Sequence, residues 1–569
     1  NTAEARLALS SALTIPAAGA SQINVADYGV TVLNFQNAGT TFNIGKITLG
    51  TGSELHLKAL NTLTDINIDT LSVSGIAKFD DERVVIQPDY NIDITAPQIL
   101  NVTNVVDLDG ADISDIMLNV FYNPKSGKSN PNINITNTTM YSSSYTSAYA
   151  ICLTDASSVF IENCSIDNYA GGIQVKNDLN KGKTKASGRV ANNSVTFDAD
   201  VASKLSQQIG IDVEDSQIDI ENNEIDNGEI GIQMSNSSGR VTNNTVSFEA
   251  DVASKDKADK IAMNIISGSD AEITDNFIGI EDDLESTISG IIINGSKADI
   301  SYNTINFANA GLQTRNGIVL NNADSTRIYN NTIYNPRKGI DNISALYRTD
   351  VINNIFWNDQ TGSLYKASIS DTTNLRIYNN LIEDTLPAGY TGSENLFDTD
   401  PLCIDPENND LALSSSPSMS PCVNAGRIID GVHIFSEGKS VYYYGSAPDI
   451  GAEELYQELT APVNVTTSAA GGFFTFGWDA VPGFEYYRIY ESDNPYTGFT
   501  AIGYTTNLSC TVSVGTKKFY YIVASTEPPK GLDFIAQNAA IITPEKNNTE
   551  VLNKTEKRKS QKIIKDNTR

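Results

Sequence analysis

The chain has 569 residues, only 19% of them charged, with 39 Lys and Arg against 69 Asp and Glu for a formal charge of −30. So acidic a body repels phosphate, which excludes a nucleic-acid partner, and no run of about 18 apolar residues is present to span a membrane as a helix. Five cysteines are too few for a disulfide framework in a chain this long, and no CxxC pair marks zinc or redox chemistry. Asn, Ser, Thr, Ile and Gly are abundant and amphipathic helical runs are scarce, which predicts an all-β protein with many turns. An acidic surface suits solubility outside the cell, calcium, or neutral and basic glycans.

Residues 1–21 are Ala-rich and read as a cap segment, with a short helix expected over residues 1–20 to cover the unpaired backbone of a first strand layer. From Gln22 the sequence alternates in strand fashion, as in Phe42-Asn-Ile-Gly-Lys-Ile-Thr-Leu and Ile66-Asn-Ile-Asp-Thr-Leu-Ser-Val. A phrase then recurs: aliphatic, any residue, two asparagines, any residue, aliphatic. It stands as Val190-Ala-Asn-Asn-Ser-Val195, Ile220-Glu-Asn-Asn-Glu-Ile225, Val241-Thr-Asn-Asn-Thr-Val246, Ile328-Tyr-Asn-Asn-Thr-Ile333 and Ile377-Tyr-Asn-Asn-Leu-Ile382, with degenerate copies at Ile135, Ile161, Ile273, Ile300 and Val351. The second position of the pair is Thr138, Cys164, Asn193, Asn223, Asn244, Asn276, Asn303, Asn331, Asn354 and Asn380, at steps of 26, 29, 30, 21, 32, 27, 28, 23 and 26. A constant phrase at a variable step means that the strands and one turn are fixed while another turn takes insertions. Most copies are followed by a Gly-aliphatic strand, as at Gly172-Ile173, Gly210-Ile211, Gly231-Ile232, Gly290-Ile291, Gly317-Ile318 and Gly339-Ile340, so each repeat carries about three short strands.

This pattern resembles the right-handed parallel β-helix of the pectate-lyase-like superfamily, over residues 22–395. In such a coil the rungs stack about 4.8 Å apart. Asn tolerates left-handed backbone angles at a tight turn, and its amide both donates and accepts, so stacked asparagines are expected to form a ladder from rung to rung. The many Asn-x-Ser/Thr triplets fall within this turn phrase, which argues against reading them as glycosylation acceptors. Residues 396–458, with Leu396-Phe-Asp-Thr-Asp-Pro, Ser416-Pro417, Asn424-Ala-Gly426 and Asp449-Ile-Gly-Ala-Glu453, are similar to the C-terminal closing segment of secreted β-helix proteins. Residues 459–545, with Trp478-Asp-Ala-Val-Pro-Gly, Tyr486-Tyr-Arg-Ile-Tyr490 and Lys518-Phe-Tyr-Tyr-Ile-Val-Ala524, resemble a fibronectin type III β-sandwich. Residues 546–569 are basic and poor in apolar groups, and read as a disordered tail.

The β-helix resemblance implies polysaccharide lyases, hydrolases and epimerases. The hydrolase signatures Asn-Thr-Asp, Asp-Asp, His-Gly and Arg-Ile-Lys are not assembled here: His56 and His433 are the two histidines, neither precedes Gly, and Asp80-Asp81 and Asp282-Asp283 have no companion motif. The Asp-Pro-His signature of epimerase relatives is missing too. Lyases of the superfamily place calcium on clustered acids beside a Lys or Arg base. A duplication offers such a cluster: Asn192-Asn-Ser-Val-Thr-Phe-Asp-Ala-Asp-Val-Ala-Ser-Lys204 returns 51 residues later as Asn243-Asn-Thr-Val-Ser-Phe-Glu-Ala-Asp-Val-Ala-Ser-Lys255. Asp198, Asp200, Glu249 and Asp251 are the candidate calcium ligands, and Lys204 and Lys255 the candidate bases. The competing reading is a one-turn helix whose acid and lysine complement its own dipole; Glu281, Asp282, Asp283 and Glu285 form a second acidic run, read as a solvated loop in preference to a metal site.

For sugar stacking, Tyr141, Tyr145 and Tyr149 cluster in a Ser-rich loop, and Tyr329 and Tyr378 occupy one position two rungs apart, where they either grip a glycan or cover neighbouring strands. Cys403 and Cys422 are spaced to close one loop, whereas Cys152, Cys164 and Cys510 read as buried small hydrophobes. The functional expectation is a secreted or cell-surface monomer that binds extracellular polysaccharide or surface glycans. The alternatives are a calcium-assisted lyase of acidic polysaccharide and a structural spacer. Any export signal is expected to have been removed or to lie outside these residues.

Overall fold

A computed structural model describes residues 4–9, 22–35, 42–51, 53–59, 66–81, 98–114, 116–121, 132–142, 149–177, 185–197, 208–248, 259–280, 287–307, 315–341, 348–358, 362–364, 375–383, 386, 392–415, 418–429, 447–455, 462–481, 486–494, 500–513, 518–525 and 540–541. Among them are no α-helices. The chain divides into two units: Asn1–Ser414 with Ser418–Pro421 and Ile450–Glu453, and Ser415–Pro417 with Cys422–Asp449 and Glu454–Arg569.

The first unit is a parallel β-helix. One rung comprises a strand of the first sheet, a turn, a strand of the second sheet, the two-residue Asn-Asn turn, and a short strand of the third sheet. The rung through Ile209–Glu214, Gln217–Glu221 and Glu224–Asp226 is typical. Each of its strands pairs in parallel with its equivalent in the next rung: Ile230–Ser235, Ser238–Thr242 and Thr245–Phe248. The two longest strands, Ile66–Asp81 and Gln98–Ser114, each run across all three sheets, because residues 66–68, 70–74 and 77–80 register separately against 100–102, 105–109 and 111–114. The stack already includes Glu4–Leu9, which pairs in parallel with Val30–Phe35. That part of the expected capping helix is therefore a strand.

Strand alternation and constant register turn each sequence position into a column. The aliphatic residue before the turn becomes Ile161, Val190, Ile220, Val241, Ile273, Ile300, Ile328, Val351 and Ile377, all fully buried. Ile166, Val195, Ile225, Val246, Ile278, Ile305 and Ile333 face them from the third sheet, and Ile173, Ile211, Ile232, Met263, Ile291 and Ile318 from the first. At about 1.5–3 kcal/mol per fully buried side chain, this interior is the main source of stability. Glycine opens the first-sheet strands because the next rung comes too close for a side chain. A Cβ on Gly210 would lie 2.7 Å from the Gly231 carbonyl oxygen and 2.6 Å from Ile225.

The two asparagines of the turn have separate tasks. The first adopts left-handed angles, with φ of 50–61° at Asn137, Asn163, Asn192, Asn222, Asn243, Asp275, Tyr302, Asn330, Asn353, Asn379 and Glu394. The second points inward and forms the ladder. From Asn193 to Asn380, each Nδ2 donates to Oδ1 of the asparagine one rung on, at 2.9–3.1 Å, and each backbone N–H donates to that same oxygen. Nδ2 also donates to a carbonyl of the preceding rung, as from Asn223 to Val190 at 2.9 Å. Asn395 ends the ladder, 15 residues after Asn380; the sequence reading missed this rung because Glu394 stands where the first asparagine would. Cys164 substitutes at the other end, its Sγ donating to the Ile135 carbonyl at 3.6 Å in place of an amide.

A second ladder, of serines, occupies the turn between the first and second sheets. The N–H groups of Ser216, Ser237 and Ser269 donate to Oγ of Ser237, Ser269 and Ser296 at 3.1–3.2 Å. Insertions accumulate at this turn and at the one from the third sheet to the first, and the Asn-Asn turn alone stays constant. The closing segment lies along the third sheet: Asn306 Nδ2 donates to the Pro406 carbonyl at 2.7 Å, and the Gly451 N–H to the Asn353 carbonyl at 2.8 Å. Cys403 carries a free thiol, so the expected Cys403–Cys422 loop closure does not form.

The second unit holds a small β-sandwich. Thr466–Ala470, Phe473–Gly477, Ser509–Ser513 and Ala540–Ile541 form one sheet, and Thr500–Thr505, Tyr486–Ser492 and Phe519–Ser525 the other. Phe476, Trp478, Tyr487, Ile489, Cys510, Val512, Ile522 and Ala524 fill its core. Trp478 packs on Tyr487 at 5.3 Å between centroids, and the Tyr487 hydroxyl accepts the Val481 N–H at 3.0 Å.

The division of labour in the turn is testable. Asn244→Ala removes the acceptor of two Asn223 donors and the donor to Ile220, all buried, and is expected to cost about 3–5 kcal/mol. Asn243→Ala places alanine at φ 56° on the surface and is expected to cost about 1–2 kcal/mol. Chemical denaturation of the two variants measures the difference.

Candidate functional site

The outward face of the second sheet is electrically closed. Its column Arg189, Asp219, Arg240, Glu272, Asp299, Arg327, Asp350 and Arg376 largely alternates in sign. Arg189 meets Glu162 at 2.5 Å, and Arg240 meets Asp219 at 2.9 Å and Glu221 at 2.7 Å. Arg327 pairs with Asp299, while the buried Asp350 takes Arg348 at 2.7 Å and Arg376 at 3.7 Å. These partners raise the guanidinium pKa of Arg189, Arg240 and Arg348, chiefly through the hydrogen bonds to Glu162, Asp219 and Asp350. Exposed pairs of this kind contribute about 0–1 kcal/mol each, and they leave little charge to recruit a ligand.

The first sheet differs. Its central outward column reads Asn119, Cys152, Gln174, Asp212, Gln233 and Asn264 in six successive rungs, a polar band about 24 Å long, before turning apolar at Ile292 and Val319. Asp212 is its centre and is 6% exposed. Its carboxylate accepts from the Tyr149 hydroxyl at 3.1 Å, Gln174 Nε2 at 2.9 Å and Gln233 Nε2 at 3.2 Å. The chain of bonds continues outward, with Asn264 Nδ2 donating to Gln233 Oε1 at 2.9 Å and Cys152 Sγ to Gln174 Oε1 at 3.3 Å. Burial first, and then the Asp212 charge, raise the Tyr149 hydroxyl far above its ordinary range; burial likewise raises the Cys152 thiol. Lys176, in the neighbouring outward column, is held by Glu214 at 2.6 Å. Both Tyr149 and Cys152 thus keep their protons at neutral pH, and Asp212 accepts from three donors. The band offers hydrogen-bonding capacity along a line instead of a group poised to take a proton. Cys152 is half-buried in this band, not a core hydrophobe, whereas Cys164 and Cys510 are buried as expected.

The corner carrying the duplicated loops borders this band. Ser194–Thr196 pairs with Glu224–Asp226, which pairs with Thr245–Phe248, so the loops leaving after Phe197 and Phe248 spring from the same corner two rungs apart. The candidate ligands and bases themselves, Asp198, Asp200, Lys204, Glu249, Asp251 and Lys255, lie outside the described residues, as do Tyr145 and the acids at 281–285. Among the described residues no group of three His, Cys, Asp or Glu is placed to hold a metal ion.

The proposed tyrosine grip is dispersed. Tyr329 is buried and donates to Asp350 at 3.3 Å, so it covers strand instead of facing a sugar. Tyr378 does share its column, with Ile352 between them, and is half-buried. Tyr141 is exposed, but on the third sheet and seven rungs, about 34 Å, from Tyr329. Sequence reasoning missed Gln174, Asp212 and Gln233, although the recurring Gly-Ile-polar phrase that opens the first-sheet strands marks all three. It also missed Tyr334 and Trp357, half-buried neighbours in one third-sheet column.

Comparison with protein-family models, with curated proteins and with solved structures returned no match for this chain.

One acid is destabilised by its surroundings. Glu453, in the closing segment, is solvent-exposed as a residue, yet desolvation around its carboxyl first, and then Asp275 and Asp410, raise it above its ordinary 4.5. The folded state binds this proton more tightly than the unfolded chain, so the stabilisation is complete below pH 4.5 and is lost as pH rises through the raised value. Glu453→Gln is therefore expected to raise the unfolding midpoint relative to the parent at pH 7.5 and to lose that advantage near pH 4. Parallel thermal scans at the two pH values check the sign.

Proposed function

We propose that this chain is an extracellular, pectate-lyase-like right-handed β-helix protein with a fibronectin type III-like companion, and that it binds polysaccharide or surface glycans along the outward face of the first sheet. The observation that carries this reading is the amide band around Asp212. A polymer of hydroxylated rings asks for donors and acceptors repeated along a line, and rungs about 4.8 Å apart supply Gln174, Gln233 and Asn264 in register. The half-buried amides are already oriented by Asp212, which lowers the entropy lost when a sugar hydroxyl docks. The export, the surface location and the monomeric state belong to this same reading.

A second reading, a calcium-assisted lyase of acidic polysaccharide, is favoured by one feature: the two acid- and lysine-bearing loops leave one corner beside the band. In that reading Asp198, Asp200, Glu249 and Asp251 hold the cation, and Lys204 or Lys255 removes the proton next to the uronate carboxylate.

A glycan array probed with the full chain, with and without calcium, separates the readings. The binding reading expects hits independent of calcium that Gln233→Ala and Asn264→Ala each weaken about tenfold, equivalent to about 1.4 kcal/mol. The lyase reading expects calcium-dependent release of unsaturated products absorbing in the ultraviolet. An array without hits and no product from any uronate polymer would sink both and leave the helix as a spacer.

A further inference from the structure

The sandwich of the second unit carries a feature that its fold does not require. On the central strand of the three-stranded sheet, Tyr487 and Ile489 face the core, so Arg488 between them faces outward. It is nevertheless only 8% exposed. Its Nε and Nη2 are buried and have no hydrogen-bond partner among the described residues. Around it on the same face stand four tyrosines. Tyr486 and Tyr490 precede and follow it by two residues, Tyr504 is its cross-strand partner on one side, and Tyr521 sits diagonally across on the other. The rings form two pairs: Tyr486 with Tyr504 at 6.1 Å, and Tyr490 stacked on Tyr521 at 4.5 Å and 13°.

A guanidinium with two buried nitrogens lacking an acceptor is unfavourable in the empty protein, and an anionic oxygen that reaches them is bound more tightly for that reason. The planar fork matches a carboxylate in two parallel bonds. Tyrosine rings offer flat faces to the C–H groups of a pyranose and hydroxyls to its oxygens. We propose that Arg488 and its tyrosines form a binding site for an acidic saccharide, with the sugar carboxylate on Arg488 and the ring against Tyr490 and Tyr521. Tyr521 is 41% exposed, so this edge of the site meets solvent. The site belongs to the second unit and uses none of the first-sheet amides.

Isothermal titration of the full chain with tetragalacturonate, with a neutral tetragalactoside and with sodium sulfate tests the site. Expected is binding of the uronate alone, weakened at least tenfold by Arg488→Met and at least fivefold by Arg488→Lys, which keeps the charge but not the fork. Arg488→Met is also expected to unfold at a higher temperature than the parent, because an apolar side chain of similar length replaces an unpaired buried charge; a merely structural arginine would lower it. Uronate binding that survives Arg488→Met and Arg488→Lys, or no uronate binding by the parent chain, overturns the proposal. Sulfate competing as well as the uronate overturns its assignment to a saccharide. Should Arg488→Met fail to fold, the Arg488→Lys titration decides alone.

Discussion

The whole β-helix depends on one constraint: a carboxamide side chain in a turn must find a donor and an acceptor in the rungs on either side. The second asparagine of each pair is buried, and a buried amide left unsatisfied costs about 1–3 kcal/mol per group. The ladder from Asn193 to Asn395 meets that demand only when every rung closes its turn at the same height. Vertical register at this corner is thereby fixed, and with it the columns of Ile and Val inside and of charged and amide groups outside. The serine ladder at another corner acts in the same way over four rungs, with a hydroxyl in place of an amide.

Fixed columns explain how so acidic a chain stacks its strands in parallel, which places like residues over like. On the second sheet, Arg and acid are set against each other in one column, as Asp219 with Arg240, Asp299 with Arg327 and Asp350 with Arg376, so the stack is close to neutral where repulsion would be worst. On the first sheet the same geometry lines up amides around a single carboxylate. The excess negative charge is left to other surfaces, and the one described place where it presses on the fold is the closing segment, where Glu453 faces Asp275 and Asp410. Electrostatics therefore separates a face that is structurally finished from a face with hydrogen-bonding capacity left to offer.

The second unit obeys a different rule. Its mainly antiparallel sheets alternate inward and outward residues, and the inward set of Trp478, Tyr487, Ile489 and Ile522 needs nothing from the outward set. An arginine buried among outward tyrosines is thus surplus to the fold, which is the physical ground for assigning it a ligand. In the β-helix the reverse holds, since its most conspicuous residues, the paired asparagines, are consumed by the architecture.

The fold was legible in the letters because the β-helix repeats one local solution: an aliphatic residue, a left-handed position, an amide that must be stacked, another aliphatic. Composition pointed to the all-β class, that phrase to the parallel coil, the constant turn and the amide ladder, and the neighbourhood of Trp478 and of Tyr486 to Tyr490 to a second, separate unit. Local chemistry did not separate the left-handed asparagine from the stacked one, and it missed the last rung at Asn395, where Glu394 takes the strained position. The candidate site was less legible. Tyr329 and Tyr378 do share a column, but only the tertiary structure shows Tyr329 buried on Asp350; Gln174, Asp212 and Gln233 lie 38 and 21 residues apart in sequence and are joined solely by stacking. Periodicity determines which residues share a column, because it is a property of the chain. Which columns are covered, neutralised or left open depends on what the neighbouring rungs place beside them, and that was decided only by the fold.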